Sequence, residues 1–107
     1  MSVQHDIREA ARRLVAKFHP ERIILFGSQA RGTADARSDV DLLVVLPYRG
    51  DRRKLFLEMD RALDGIEQAF DLVIRTPAQF EDNRRFAGYV DRHAAKEGKV
   101  LYEARAS

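Results

Sequence analysis

The 107-residue sequence predicts a small α/β domain, with helices packed against one sheet. Short aliphatic runs at 23–26, 40–46 and 71–75 read as strands, and the segments between several of them repeat their apolar residues at helical spacing. The composition agrees: 45% hydrophobic and 34% charged is globular, with enough large apolar residues to offset the entropy of ordering the chain. One core commonly serves about 100–150 residues, so a single domain over residues 1–107 is expected.

From the N-terminus, Val3, Ile7, Ala10, Ala11, Leu14, Val15 and Phe18 form one face of a helix, with Asp6, Arg8, Glu9, Arg12 and Arg13 on the other. Pro20 stops it, because the residue before a proline avoids helical geometry. Ile23-Ile24-Leu25-Phe26 is a buried strand ending at Gly27-Ser28, followed by a polar stretch from Gln29 to Ser38 that holds Gly32. Val40 to Leu46 is apolar on both faces, so this second strand should lie centrally with structure on each side. After a loop at Pro47–Asp51, helical spacing runs from Arg52 to Phe70, and Asp71-Leu72-Val73-Ile74-Arg75 is the third strand. Thr76-Pro77-Ala78-Gln79 has the pattern of a capped helix start. The helix it opens is expected to reach about Glu97, with Phe80, Phe86, Val90 and Ala94 on its apolar side and Gly98 as its C-terminal glycine. Val100-Leu101-Tyr102 adds a short edge strand.

Several function classes are excluded or disfavoured. With no cysteine there is no disulfide, thiolate metal site or thiol nucleophile. The first residues are charged and carry no signal-peptide pattern, and the longest aliphatic run is far below the roughly 20 residues of a membrane span. A cytoplasmic protein without a membrane partner is therefore expected. Nineteen basic against 17 acidic residues leave a net charge of +2, too small to imply a nucleic-acid partner. Arg49, Arg52, Arg53 and Lys54 cluster around a loop and read as a solvated face, the alternative being contact with an acceptor or an acidic partner. His5, His19 and His93 lack ligand spacing. Tyr48, Tyr89 and Tyr102 read as packing residues, Tyr48 being the one to watch for stacking on a base because it follows the second strand.

One constellation departs from generic packing. Gly27-Ser28 is followed, ten residues later, by Asp39-Val40-Asp41 and an aliphatic strand. Residues two apart on a strand share a face, so Asp39 and Asp41 project together, at a cost in repulsion and desolvation that a divalent cation removes. Asp71 opens the next strand; if the two strands are neighbours, three carboxylates meet on one rim, as two-metal phosphoryl or nucleotidyl transfer requires. Gly27 at the end of a strand lets backbone N–H groups approach phosphate, and the Ser28 hydroxyl can donate to it or cap a helix. No Gly-Lys-Ser/Thr follows, so this is not a P-loop.

Ile24-Leu25-Phe26-Gly27-Ser28-Gln29-Ala30-Arg31-Gly32 with Ser38-Asp39-Val40-Asp41-Leu42 closely resembles the signature of the DNA polymerase beta-like nucleotidyltransferase superfamily. Within it the chain resembles the minimal nucleotidyltransferases (MNT), often the antitoxins of HEPN-MNT toxin–antitoxin pairs; the likeness extends to Phe70-Asp71-Leu72-Val73 and to Glu97–Glu103. The resemblance implies the polymerase beta-like fold, a small mixed sheet of three to four strands with about four helices. It implies that Asp39 and Asp41 bind two Mg²⁺ ions, with Mn²⁺ as a substitute, and that Asp71 completes the metal site and helps deprotonate the acceptor hydroxyl. Gly27 and Ser28 would hold the β- and γ-phosphates of ATP or another nucleoside triphosphate. Arg31 would either touch phosphate or brace the loop against a carboxylate.

The implied reaction moves AMP from ATP to a tyrosine of a partner HEPN toxin. Larger relatives carry an additional domain that helps grip base or acceptor, and none is expected within residues 1–107. The acceptor must then be held by another polypeptide or by a homo-oligomer of this chain. The alternative is an antitoxin or regulatory binding module that neutralises its partner by complex formation without catalysis.

Overall fold

The computed structural model describes residues 2–34 and 38–105, so the polar stretch after Gln29 is described only in part. The elements are α1 (Val3–Phe18), β1 (Arg22–Phe26), α2 (Ser28–Arg31), β2 (Val40–Val45), α3 (Arg52–Ala62), β3 (Phe70–Arg75), α4 (Pro77–Asn83), α5 (Val90–Glu97) and β4 (Lys99–Glu103). The strands form one mixed sheet in the order β3-β2-β1-β4. β2 runs parallel to β3 and antiparallel to β1, and β4 pairs antiparallel with β1. The expected α+β architecture is therefore the observed one, with β2 inside the sheet as its two apolar faces require.

Strand alternation divides the core between the two faces. Ile23, Leu25, Val40, Leu42, Val44, Leu72 and Ile74 pack with Ile7, Leu14 and Met59 from α1 and α3. Ile24, Phe26, Leu43 and Val45 point the other way, against Phe80 of α4 and Ala94 of α5. The second cluster is smaller, and it leaves part of that face uncovered toward the N-terminal end of β2.

Three helix boundaries follow local chemistry that periodicity alone does not report. α1 ends where Pro20 demands it, and His19 closes it in the left-handed region at φ 51°. The helix expected to reach Phe70 stops at Ala62, because Asp64-Gly65 turns the chain with Gly65 at φ 89°; Leu63 and Ile66 still reach the core from the turn. The single helix expected over 77–97 is two, α4 and α5, separated by turns over 84–89. Thr76 and Gln79 make the expected capping box. The break reassigns the supposed apolar side: Phe80 and Ala94 are buried on separate helices, whereas Phe86 and Val90 are exposed.

Gly98 also serves for a different reason than expected. Its backbone is extended, at φ −73° and ψ 162°, and a Cβ there would collide with the carbonyl of Ala94 and with Ile24 of β1. Close approach of α5 to the sheet, rather than a left-handed turn, requires glycine.

On the α1 surface, Arg12 and Arg13 donate to Glu9, with Arg13 Nε at 2.9 Å, and Arg13 also reaches the carbonyls of Ala62 and Asp64 at the end of α3. These hydrogen bonds pull the Glu9 carboxyl down from 4.5 to about 2. A carboxylate held below its ordinary value stabilises the fold above pH 4.5 and loses that contribution as pH falls toward about 2. Glu9→Gln should therefore flatten the acid limb of the melting temperature between those two values. An unchanged pH profile in this variant would show that the bridge does nothing for the fold.

Candidate active site

The sheet register builds the site. Phe26, the last residue of β1, lies opposite Asp41 on β2, and Asp41 lies beside Asp71 on β3. In-register residues of a parallel pair project from the same face, with strands roughly 4.8 Å apart. Asp41 and Asp71 thus share the face that carries Phe26, Leu43 and Val73, at its uncovered end. Asp39 stands two residues upstream, and the segment carrying it is tied down where Gln68 Nε2 donates to the Ser38 carbonyl at 3.0 Å. Asp39 and Asp71 are exposed and Asp41 is half-buried.

These carboxylates influence one another. Burial pushes the Asp41 carboxyl above its ordinary value, the charges of Asp71 and then Asp39 push it further, and Arg31 opposes them. The rim is therefore a place where negative charge is concentrated and a cation is favoured.

Gly27 brings phosphate-binding backbone to the same rim. It adopts φ 74° and ψ −155°, a region open essentially to glycine alone, and starts the single turn of α2 with no side chain to cap it. A Cβ on Gly27 would run into Oδ2 of Asp41, so the backbone passes directly against the carboxylate. Ser28 is the first residue of this turn, with Gly27 rather than Ser28 as its cap. The first N–H groups of a helix have no partner within it and suit an anion. Gly27→Ala combines a forbidden backbone with a collision on Asp41. We expect it to cost about 1–3 kcal/mol of stability and to displace the carboxylate; wild-type melting behaviour in that variant would contradict this geometry.

Arg31 ends α2, with a guanidinium nitrogen 3.8 Å from Glu97 on α5. Its electrostatic reach to Asp41 places it beside the rim, half exposed. The six residues singled out from the motif, Gly27, Ser28, Arg31, Asp39, Asp41 and Asp71, therefore gather at one end of the sheet. Tyr48 does not join them: it follows the opposite end of β2, about 20 Å of strand away, so stacking on a base bound at the rim is ruled out for it. The Arg52-Arg53-Lys54 cluster begins α3 at that far end as well.

Sequence reasoning missed two buried acids: Asp6, expected on the polar face of α1, is buried, and Asp91 was not singled out. Asp91 of α5 is fully buried and takes Nε of Arg75 at 3.2 and 3.0 Å on its two oxygens, with Asn83 Nδ2 at 3.5 Å. The pair fastens α5 to the end of β3. Sixteen residues separate Arg75 from Asp91, and no local pattern announces their contact.

Comparison with known proteins gives the family. The model of the family described as nucleotidyltransferase domain matches residues 7–101. The chain belongs to this family. A protein of Methanocaldococcus jannaschii, provisionally named a protein adenylyltransferase, is 30% identical over 109 residues, covering 95% of this chain and all of the relative. A crystal structure from Sulfolobus solfataricus, provisionally described as a nucleotidyltransferase, superposes with a TM-score of 0.62 at 20% identity, over 92% of this chain and 78% of that one. A toxin–antitoxin complex, MntA–HpeT, gives a TM-score of 0.65 at 20% identity, over 98% and 76% of the two chains. A toxin–antitoxin structure with AMP-PNP gives 0.57 at 27% identity, over 92% and 74%. This nucleotidyltransferase therefore shares its fold with proteins of two descriptions, transferases and toxin–antitoxin components. No helix among its described residues is long and apolar enough to cross a membrane.

Proposed function

We propose that this nucleotidyltransferase moves AMP from ATP to a protein hydroxyl, a tyrosine of a HEPN-type toxin, and acts as that toxin's antitoxin. The observation that carries the reading is the register of three strand ends, which sets Asp41 beside Asp71 and under the Gly27 turn. Support for the donor comes from the structural neighbour solved with AMP-PNP, an ATP analogue, and for the protein acceptor from the name of the Methanocaldococcus relative. Support for the partner comes from the toxin–antitoxin neighbours.

The donor chemistry of the rim fits Mg²⁺. Among the described residues no three Asp, Glu or His side chains close around one point. Mg²⁺ does not need such a cage, since it is commonly held by one or two carboxylates with water and substrate phosphates. Asp39, Asp41 and Asp71 would hold the ions, which when bound neutralise charge on the triphosphate and on the attacking oxygen.

The chain's own residues do the remaining work. The N–H groups at the start of α2 and the Ser28 hydroxyl hold the β- and γ-phosphates, leaving the α-phosphorus over the aspartates. The acceptor oxygen attacks the α-phosphorus, the bond from that phosphorus to the bridging oxygen breaks, and pyrophosphate departs with the electron pair. Asp71, exposed on the edge strand β3, takes the hydroxyl proton. Arg31 offsets charge on the phosphates beside the rim.

Melting the protein with ATP, GTP, CTP or UTP, each with and without Mg²⁺, tests the donor and the metal together. Ligand at 100 times its dissociation constant adds about 2.7 kcal/mol, a rise of roughly 10 °C or more for a domain of this size. A rise with ATP that requires Mg²⁺ is the expected result. No rise with any nucleotide would leave neutralisation by binding as the better reading.

A further inference from the structure

The two edges of the sheet are unlike each other. β4 is a guarded edge: it carries Lys99 and Glu103 at its ends, and Leu101 is an extra residue between the pairs Ile23–Tyr102 and Ile24–Val100. Bulges and terminal charges of this kind prevent further strands from adding. β3 carries Asp71 and Arg75, but its ladder with β2 has no bulge, running unbroken from Phe70 to Arg75, and Arg75 is turned to Asp91 of α5.

A groove of about 400 Å³ follows the outer side of β3, lined by Leu72, Val73, Ile74 and Arg75 with Arg52 and Phe56 of α3 and Val90 of α5. Four consecutive strand residues cannot share one face, so the groove runs along the hydrogen-bonding edge itself. The backbone is arranged to suit. Ala69 and Arg75 give their carbonyls to β2, at Val40 and Leu46. Alternation then turns the peptide groups of Leu72 and Ile74 outward, where the Ile74 carbonyl takes a guanidinium hydrogen from Arg75 at 3.2 Å.

The two walls differ in chemistry. On the α3 side stand Arg52 and Phe56, with Arg53 and Lys54 next to them; all are exposed, and among the described residues none of these three cations joins an ion pair. On the α5 side stand Val73 and Val90, continued by the exposed rings of Tyr89 and Phe86, whose centroids are 6.5 Å apart. Side chains of an added strand point alternately to the two walls.

We propose that the β3 edge is the docking site for an extended segment of a partner protein with alternating acidic and apolar residues, which joins the sheet as a fifth strand. Its acidic side chains meet the α3 cations and its apolar ones meet Val73 and Val90. β3 begins at Phe70-Asp71, so a hydroxyl side chain two or three residues beyond the one opposite Val73 lies at Asp71, at about 3.3 Å per residue. This last step rests on the transferase reading, and the docking itself does not. Backbone pairing supplies affinity in strand addition and the two walls supply selectivity.

The test uses a fluorescein-labelled nine-residue peptide of alternating glutamate and valine that ends in tyrosine, followed by anisotropy. Saturable binding is expected, falling tenfold or more in the Arg52→Glu, Phe56→Glu variant. It should also fall tenfold or more when alternate peptide nitrogens are methylated, a control that leaves the protein unaltered. Hydrogen exchange at the Leu72 and Ile74 amides should slow in the complex. Absence of saturable binding, indifference to methylation, or capture of a uridine RNA oligomer by the same arginines in the peptide's place would each overturn the proposal. Melting with ATP and Mg²⁺ in the same samples separates the two readings. Peptide binding without a nucleotide response removes the transferase and keeps the groove; a nucleotide response without peptide binding does the reverse.

Discussion

Asp41→Asn should reduce nucleotide transfer by about a thousandfold, and in metal-free buffer it should melt no lower than the wild type. The first effect follows from the proposed chemistry: metal-held charge stabilisation in the transition state amounts to several kcal/mol, and each 1.36 kcal/mol is tenfold in rate. The second follows from the cost of the native residue. Burial and the charges of Asp71 and Asp39 hold the Asp41 carboxyl above its ordinary value, with Arg31 compensating only in part. A carboxyl raised in this way begins to penalise the fold as pH climbs past its ordinary value, and asparagine removes that penalty. Mg²⁺ should raise the melting temperature of the wild type and leave the variant unmoved. Transfer retained within tenfold would remove Asp41 from the mechanism, and a clear drop in melting temperature without metal would mean that the carboxylate supports the fold.

Asp91→Ala should be the most damaging single change to stability away from the site, at about 3–5 kcal/mol, enough to consume a large part of a small domain's margin. Asp91 is fully buried and Arg75 is only 16% exposed, so truncating the acid strands a guanidinium where water cannot replace its partner. The loss should appear as a fall of more than 10 °C in melting temperature. Replacing both members, as Arg75→Met with Asp91→Leu, should recover most of it, because an apolar pair of like volume avoids the stranded charge. If the double variant melts as low as Asp91→Ala, the pair contributes through something other than charge compensation. The expectation for the site is that both variants keep the Mg²⁺ response wherever they remain folded, since the clamp lies at the opposite end of β3 from Asp71.

Much of the candidate site was legible in the residues because its parts are local. Gly27-Ser28 after an aliphatic strand, and Asp39-Val40-Asp41 before one, each state their geometry within a few positions: a turn open to phosphate, and two carboxylates on one face. The strands were legible for the same reason, since β-branched and aliphatic runs bounded by glycine and proline report burial directly. Helix ends were less so. Apolar spacing continued past Ala62 through Leu63 and Ile66, and past Asn83 through Phe86 and Val90, although the chain had already left the helix at Asp64-Gly65 and in the turns before Tyr89. Periodicity records which residues meet the core and does not distinguish a helix from a turn that delivers its side chains to the same place.

The sequence by itself determined the fold class, the central place of the Val40–Leu46 strand and the residues proposed to hold a metal and a triphosphate. Tertiary structure decided the rest. Whether Asp71 belongs with Asp39 and Asp41 depended on β3 lying beside β2 in parallel, a pairing across thirty residues that no spacing encodes. The same register sent Tyr48 and the basic cluster to the far end of the sheet, matched Arg75 to Asp91, and left β3 rather than β4 as the open edge. Each of these is a contact between segments distant in sequence, and such contacts are chosen by the packing of all the elements together.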